Sequence, residues 1–348
     1  MTRPVTGLVV GKFAPLHRGH QFLLDRAQSM CERLVILSYA KPERDGCAPE
    51  SRASWLASLY PEARIVVLDD ARLASLCHDH HVAARHVPHD DENDDIHRHF
   101  VAWVLRELLH ERVDVVFTSE DYGEGFAGVL SAEQGFNPRV AHVLVDPARS
   151  HVPISATRIR EDVHAHRAWL DPVVYSSFVQ RIALLGGEST GKTTLANALA
   201  ERLGTTWVPE YGRDLWEQRA GQLAFDDMLH IAETQLSREA ECIRHANRYV
   251  FCYTTALTTL LYSEALFARS DSRLEALARR RYDHTFLCSA DFEFVQDGTR
   301  QTREFQGQQQ MWYLKRLTDA GTEFSLITGS VEERVTKILG FLQVSEGG

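Results

Sequence analysis

Two short stretches carry residues able to hold phosphate. In the first, Gly186, Gly191, Lys192 and Thr193 read G-x-x-x-x-G-K-T. The glycines allow a tight turn whose backbone N–H groups point inward at phosphate oxygens. The helix expected after the turn aims the positive end of its dipole at the same oxygens. Lys192 adds a point charge for the outer phosphates, and the Thr193 hydroxyl suits Mg²⁺. Candidate ATP-binding residues here are Gly186, Glu188, Ser189, Thr190, Gly191, Lys192, Thr193 and Thr194. A merely flexible glycine-rich loop is the bland alternative, and the context opposes it. Ile182 to Leu185 reads as a buried strand before the turn, and Leu195, Ala198, Leu199 and Leu203 share one helical face after it.

The second stretch lies near the start. The apolar run Gly7 to Phe13 leads into Ala14-Pro15-Leu16-His17-Arg18-Gly19-His20, followed by a helical pattern from Gln21 to Met30. With Gly19 between them, His17 and His20 can both approach one anion at the helix start. Far downstream, Ile154-Ser155-Ala156-Thr157-Arg158-Ile159-Arg160 follows Pro153. Ser155 is a natural N-cap, so Thr157 and Arg160 would face a phosphate from the first turn. The planar fork of Arg160 suits a pyrophosphate leaving group. Two surface histidines in a turn and an ordinary capped helix are the plainer readings of these segments.

These residues need a scaffold. Apolar runs at Leu34 to Tyr39, Arg64 to Leu68, Val113 to Ser119 and Val140 to Val145 read as strands. Helices are expected around Ser51 to Tyr60 and Ile96 to Glu111. After the phosphate loop, strands are expected at Thr206 to Val208, Arg248 to Cys252, His284 to Cys288 and Glu323 to Ile327. Helices at Asp226 to His245, Gln308 to Asp319 and Val331 to Leu342 complete the pattern. Alternation of this kind implies an α/β protein with parallel sheets. Pro172 marks a join, giving two domains, residues 1–173 and 174–348. The polar turn Ser119 to Gly123 sits at the carboxyl end of a strand, where ligands bind in open parallel sheets.

Composition fits this picture. The 348 residues are 44% hydrophobic and 25% charged, ordinary for a globular protein. A net charge of −10 argues against a nucleic-acid groove and confines positive charge to local sites. No apolar run approaches about 18 residues, so no membrane insertion is expected. The start of the chain turns polar too soon for a signal peptide. Six scattered cysteines without a C-x-x-C pair read as reduced thiols, which implies the cytoplasm. Oligomeric state is open, a homo-oligomer included.

Cys77, His78, His80, His81, His86 and His89 crowd one segment, with His97 and His99 beyond. Such a cluster can hold zinc. The irregular spacing and the neighbouring Asp90, Asp91, Asp94 and Asp95 favour a solvated loop instead. In the second half, Pro209 to Asp214 follows a strand. Glu210 there is a candidate general base or ribose-hydroxyl ligand, with Tyr211 and Arg213 beside it for substrate. Val295 to Arg303 reads as a cover over the phosphates, in which Arg300 and Arg303 would stabilise charge and Asp297 would meet substrate.

The N-terminal half resembles the nucleotidyltransferase superfamily. His17-Arg18-Gly19-His20 matches its H-x-G-H, Gly11, Lys12, Phe13 and Pro15 match its G-x-F-x-P, and Ile154 to Arg160 matches its I-S-x-T-x-x-R. The resemblance implies a Rossmann-like fold. It also implies ATP contacts from Gly11, Lys12, Phe13, His17, His20, Ser155, Thr157 and Arg160. In that family a tryptophan near the position of Trp103 stacks on nicotinamide, though the surrounding HFVAWVLREL suits a core residue equally well.

Fused to a P-loop half carrying GGESTGKTT, PEYGRD and VQDGTR, this signature resembles the bifunctional nicotinamide-nucleotide adenylyltransferase / ribosylnicotinamide kinase family, the NadR type. The resemblance covers essentially the whole chain. It implies that the C-terminal domain converts nicotinamide riboside and ATP to NMN, and that the N-terminal domain joins NMN to AMP from a second ATP, giving NAD and pyrophosphate. His17, His20 and Arg160 would take up charge in the second of these steps, and Mg²⁺ would accompany the ATP. Some members carry an N-terminal helix-turn-helix that makes them repressors. This chain starts directly on the nucleotidyltransferase strand, so DNA binding is not implied.

One departure bears on chemistry. The family reads D-T-x-x-x-T-T after a strand of the P-loop domain, where this chain has Tyr253-Thr254 with Thr258-Thr259 retained. A phenol, with a reference pKa of about 10, supplies no negative charge at neutral pH. Weakened kinase turnover, or dependence on Glu210, is therefore expected. Two readings compete with the bifunctional one: a P-loop domain that only senses nucleotide, and an adenylyltransferase for another phosphorylated small molecule.

Overall fold

The computed structural model describes residues 5–135, 139–291, 294 and 301–342. The chain forms two compact units, Met1–Phe178 and Val179–Gly348. The expected join at 173/174 thus moves five residues on. The reason is packing: the Phe178 ring lies against Gly46 and near the Trp55 ring, and Trp55 Nε1 donates to Ser177 Oγ at 2.9 Å.

The first unit is built on β1 (Thr6–Gly11), β2 (Arg33–Tyr39), β3 (Arg64–Leu68), β4 (Val115–Thr118) and β5 (Ala141–Leu144). They form one all-parallel sheet in the order β3-β2-β1-β4-β5. Leu8 and Val9, which face opposite sides of β1, are both fully buried, as a central strand covered on two faces requires. Strand order reverses between β1 and β4. Their carboxyl ends, Gly11 and Thr118, therefore flank the crevice that such a reversal opens.

The second unit repeats the logic with β6 (Gln180–Leu185), β7 (Thr206–Trp207), β8 (Tyr249–Cys252), β9 (His284–Cys288) and β10 (Ser325–Ile327). All are parallel, in the order β10-β9-β6-β8-β7. β6 is central and fully buried at Ile182, Ala183 and Leu184. The phosphate loop runs from its end into the helix Lys192–Leu203.

Several helices have no counterpart in the sequence expectations: Asp70–Asp79, Gly123–Glu133, Tyr211–Gln218, Ala256–Phe267 and Ser272–Ala278. Ala256–Phe267 is apolar nearly all round and buried, so it has little amphipathic period to detect. Gly123–Glu133 contains three glycines, which weaken the helical signal. The helix expected at Ile96 to Glu111 is α-helical only from Asp94 to Trp103. It continues as π-helix over Val104–Leu109 and stops at His110 in the left-handed region, φ 48°.

Gly7 shows how tightly β1 is held. A Cβ there would lie 2.8 Å from the Phe117 ring and 2.9 Å from Cys31 Sγ. Both neighbours are buried, so neither can give way cheaply. Gly7→Ala should destabilise the first unit by about 1–3 kcal/mol. Urea unfolding measures this, and an unchanged midpoint would mean that the site relaxes freely.

Candidate phosphate-binding sites

In the first unit a cleft of about 450 Å³ opens at the carboxyl ends of β1 and β4. The turn after β1 delivers His17 as the N-cap of the helix Arg18–Met30. His17 Nδ1 accepts from the backbone N–H of Gly19 at 3.1 Å and of His20 at 3.3 Å, while His20 Nδ1 accepts from the N–H of His17 at 3.4 Å. The two rings stack with centroids 3.7 Å apart. A Cβ on Gly19 would come within 3.0 Å of the His17 ring, so glycine makes room for this cap.

An accepting Nδ1 carries no proton, which assigns the ring proton to Nε2. Burial, followed by the nearby Arg149 and Arg160, lowers the His17 pKa to about 4. Burial, followed by the His17 ring, lowers His20 well below its ordinary value, opposed by a hydrogen bond with the Pro15 backbone. At neutral pH both rings are neutral, and the positive charge of the cleft comes from Lys12, Arg149 and Arg160.

Arg160 joins the two halves of the signature. Its Nη1 donates to Ala14 O at 2.6 Å and its Nη2 to Thr157 Oγ1 at 3.0 Å. Ser155 caps the short helix Ala156–Glu161, its Oγ accepting from Arg158 N at 3.3 Å. Gly11, Lys12, Phe13, His17, His20, Ser155, Thr157 and Arg160 all line the cleft. Phe13 is nevertheless almost fully buried, edge-on to the His20 ring, and a Cβ on Gly11 would touch it at 3.0 Å. Its part is to support the histidine.

Trp103 does not line this cleft. It is buried in the hydrophobic core of the first unit among Phe100, Leu105 and Leu108, with the Arg85 guanidinium 4.6 Å from its ring centre. Its place as a substrate-stacking residue is corrected accordingly, because the ring's apolar faces are used in packing.

Sequence reasoning missed Arg149, Asp90 and Tyr39, which also line the cleft, as do Ser119, Glu120 and Tyr122 of the polar turn expected to meet ligand. Arg149 stands in the turn after β5 at φ 51°, and its Nη2 lies 3.3 Å from Glu120. The rule that ligands gather at strand carboxyl ends is the one signal that reaches it. Asp90 comes from the histidine-rich segment and holds Lys12 at 3.1 Å and Arg44 at 2.8 Å. In the same segment Cys77 is buried core, His89 pairs with Asp91, and His97 meets the Tyr39 hydroxyl at 3.1 Å. Among the described residues no group of three or more His, Cys, Asp or Glu side chains is placed to hold a metal.

In the second unit a cleft of about 710 Å³ sits on the phosphate loop. Gly186 takes φ 143° and Gly191 φ 77°, and a Cβ on Gly186 would meet Cys288 O at 2.7 Å. Lys192 Nζ donates to Gly186 O at 2.9 Å and Gly187 O at 2.7 Å. Glu188 Oε1 accepts from the Tyr262 hydroxyl at 2.7 Å and its Oε2 from Gln301 N at 2.8 Å. Gly186, Glu188, Ser189, Thr190, Gly191, Lys192, Thr193, Thr194, Glu210 and Arg213 line the cleft, as do Tyr253, Thr258 and Thr259.

Tyr253 occupies the position of interest at the end of β8. Its hydroxyl accepts from Glu210 N at 3.2 Å and is hydrogen-bonded to Thr193. Burial, followed by the Glu210 charge, raises its pKa, so it remains a neutral phenol. Glu210 Oε2 lies 3.6 Å from Arg213 Nε. Two expected residues do not line the cleft. Tyr211 turns to the helix Phe225–His245, its hydroxyl 2.9 Å from His230 Nε2 and its ring under Arg238. Arg303 is the exposed first residue of the helix Arg303–Asp319. Asp297 and Arg300 lie outside the described residues.

The depressed His17 value has a sign that can be tested. The folded group titrates near 4 and the unfolded one near 6.5, so the folded state resists protonation. Stability should therefore fall as pH drops from 6.5 toward 4. His17→Asn keeps a capping side chain without the titration. The wild-type stability relative to His17→Asn should fall by up to about 3 kcal/mol across that window. Urea unfolding between pH 7.5 and 4.5 measures it, and parallel curves would exonerate His17.

Residues 181–334 match the AAA domain family. Two curated proteins, from Escherichia coli (strain K12) and Salmonella typhimurium, are each named trifunctional NAD biosynthesis/regulator protein NadR. Each is 29% identical over 305 residues, spanning 84% of this chain and 71% of its own length. A solved structure of NadR protein in complex with NR superposes with a TM-score of 0.68 at 18% identity, covering 99% of this chain and 98% of that one. NadR protein in complex with NAD and AMP-PNP gives 0.67 at 17%, covering 99% and 97%. The solved structures share the fold of the whole chain, and the sequence likeness to NadR proteins spans most of it.

Proposed function

We propose that the chain makes NAD by two linked transfers from ATP. The second unit phosphorylates nicotinamide riboside to NMN. The first joins NMN to AMP from another ATP, releasing pyrophosphate. The observation that carries this reading is the convergence of His17, His20, Thr157 and Arg160 on one cleft, in a polypeptide whose other unit holds a complete phosphate loop. The ligands named for the solved relatives, NR, NAD and AMP-PNP, support the same choice of substrates.

Neither step calls for a protein nucleophile. In the first unit the NMN phosphate attacks the α-phosphate of ATP in line. The neutral histidines donate hydrogen bonds, and Arg149 and Arg160 compensate the charge on the departing pyrophosphate. In the second unit Lys192 meets the outer phosphates, and Glu210 receives the proton of the attacking ribose hydroxyl. The Thr193 hydroxyl and Glu210 carboxylate share the cleft, a donor pair suited to a hard cation that completes its shell with phosphate oxygens and water. When bound there, Mg²⁺ would neutralise charge on the transferred group.

Tyr253 favours a second reading, in which the second unit binds ATP with little turnover and acts as a sensor. Its phenol stands where the family carries an aspartate and already engages Thr193 and the Glu210 backbone.

NAD formation from riboside and, separately, from NMN distinguishes these readings. His17→Ala with His20→Ala should lower NMN conversion by about 100-fold or more and leave riboside phosphorylation intact. Lys192→Ala should do the reverse. Dinucleotide synthesis untouched by loss of both histidines would end the account of the first unit. Tyr253→Asp should raise the phosphorylation rate by about tenfold, on the order of one well-placed charge interaction. A healthy wild-type rate with no gain on substitution would remove the concern over the missing carboxylate, while ATP binding without transfer by the wild type would favour the sensor.

A further inference from the structure

Arg334 is fully buried on the helix Val331–Phe341 and does not line the cleft of the second unit. Its guanidinium nevertheless reaches the phosphate loop from behind. Nη1 donates to Thr190 O at 2.8 Å. Nη2 donates to Ser289 O, just past β9, at 3.0 Å, and Nε donates to Gly329 O, after β10, at 2.8 Å. Asp291 balances the charge by an ion pair, and its other oxygen accepts from Gly329 N at 2.6 Å. A buried guanidinium is tolerable only with a paired charge and satisfied donors. Three backbone carbonyls and one carboxylate provide both.

The consequence for phosphate follows from peptide geometry. In a planar trans peptide the C=O and the next N–H point in opposite directions. Drawing the Thr190 carbonyl back onto Arg334 turns the Gly191 N–H away from Arg334, toward the side of the loop that lines the cleft. Rotating this peptide would strand a buried charged donor, which holds the orientation before any ligand arrives. The loop is braced similarly one turn earlier, where Gln306 Nε2 donates to Glu188 O at 2.6 Å.

We infer that Arg334 is a positioning residue for ATP in the second unit: it presets the phosphate-loop peptide at Thr190–Gly191 from outside the cleft. This rests on the reading that the second unit binds ATP through its loop.

The test titrates the full chain with AMP-PNP and Mg²⁺ by calorimetry. The wild type should fill two sites, and Lys192→Ala should empty the one in the second unit. Arg334→Met should weaken that same site by about tenfold or more, leaving the other unchanged. Arg334→Lys, which keeps the charge and can still reach one carbonyl, should recover part of the loss and guards against a Met variant that does not fold. Unchanged affinity at both sites in Arg334→Met overturns the inference. So does weakening of both sites together with a fall in melting temperature in both Arg334 variants, which marks a structural role alone. A wild type that binds at both sites but phosphorylates no riboside defeats the kinase reading and leaves this inference standing. A wild type with no Lys192-dependent site defeats both.

Discussion

A phosphate cradle works only if its N–H donors are aimed before the ligand arrives, and here the aim is set by hydrogen bonds on the far side of each donor. In the first unit, the accepting Nδ1 of His17 fixes the tautomer and leaves the proton on Nε2. In the second, the Thr190 carbonyl held by Arg334 and the Glu188 carbonyl held by Gln306 set the orientation of the peptides that follow. Both devices need a strand that ends at one place and a helix that starts a few residues later. A central parallel strand supplies that, which is why both sites sit at the head of β1 or β6.

Electrostatics follows from the same constraint. Two stacked imidazolium ions 3.7 Å apart beside two arginines would repel, so burial and neighbouring charge keep both rings neutral. Arg160 can then be both fastener and charge, since its bonds to Ala14 and Thr157 close the cleft across 146 residues of sequence. Carboxylates restrain the remaining cations, Asp90 on Lys12 and Glu120 on Arg149. A net charge of −10 is compatible with positive charge gathered at local sites.

What was legible in the sequence is what has a local cause. The glycines at 19, 186 and 191, the histidine pair at a helix start and the cap at Ser155 belong to turns and helix starts that a few consecutive residues specify. Both parallel sheets followed from apolar runs alternating with helical periods. What escaped has tertiary causes. Arg149 belongs to no motif and enters the cleft only because β5 ends there. Asp90 lies in a segment whose histidines drew attention to metals, while its partners Lys12, Lys41 and Arg44 lie 46 or more residues away. Trp103 was ambiguous because a buried helix face and a stacking platform ask for the same residue, and only the packing around it distinguishes them.

Tyr253 would bear on the proposed phosphorylation through the carboxylates that stand around it. Two carboxylates of the second unit line its cleft close to the loop. Glu188 is committed to the Tyr262 hydroxyl and the Gln301 N–H, with Gln309 closing the same group through Tyr262. Glu210 keeps a longer contact, 3.6 Å to Arg213, and its backbone N–H is held by the Tyr253 hydroxyl at 3.2 Å. In the proposed phosphorylation the duty of base therefore falls on Glu210. The phenol at the end of β8 anchors the segment that presents Glu210, just past β7, and its ring lies 5.5 Å from that of Trp207 on β7. A change at Tyr253 thus has two opposed consequences. It can restore charge beside Thr193, and it loosens Glu210. The net effect measures how much of the proposed chemistry depends on charge beside the Thr193 hydroxyl and how much on the placement of Glu210.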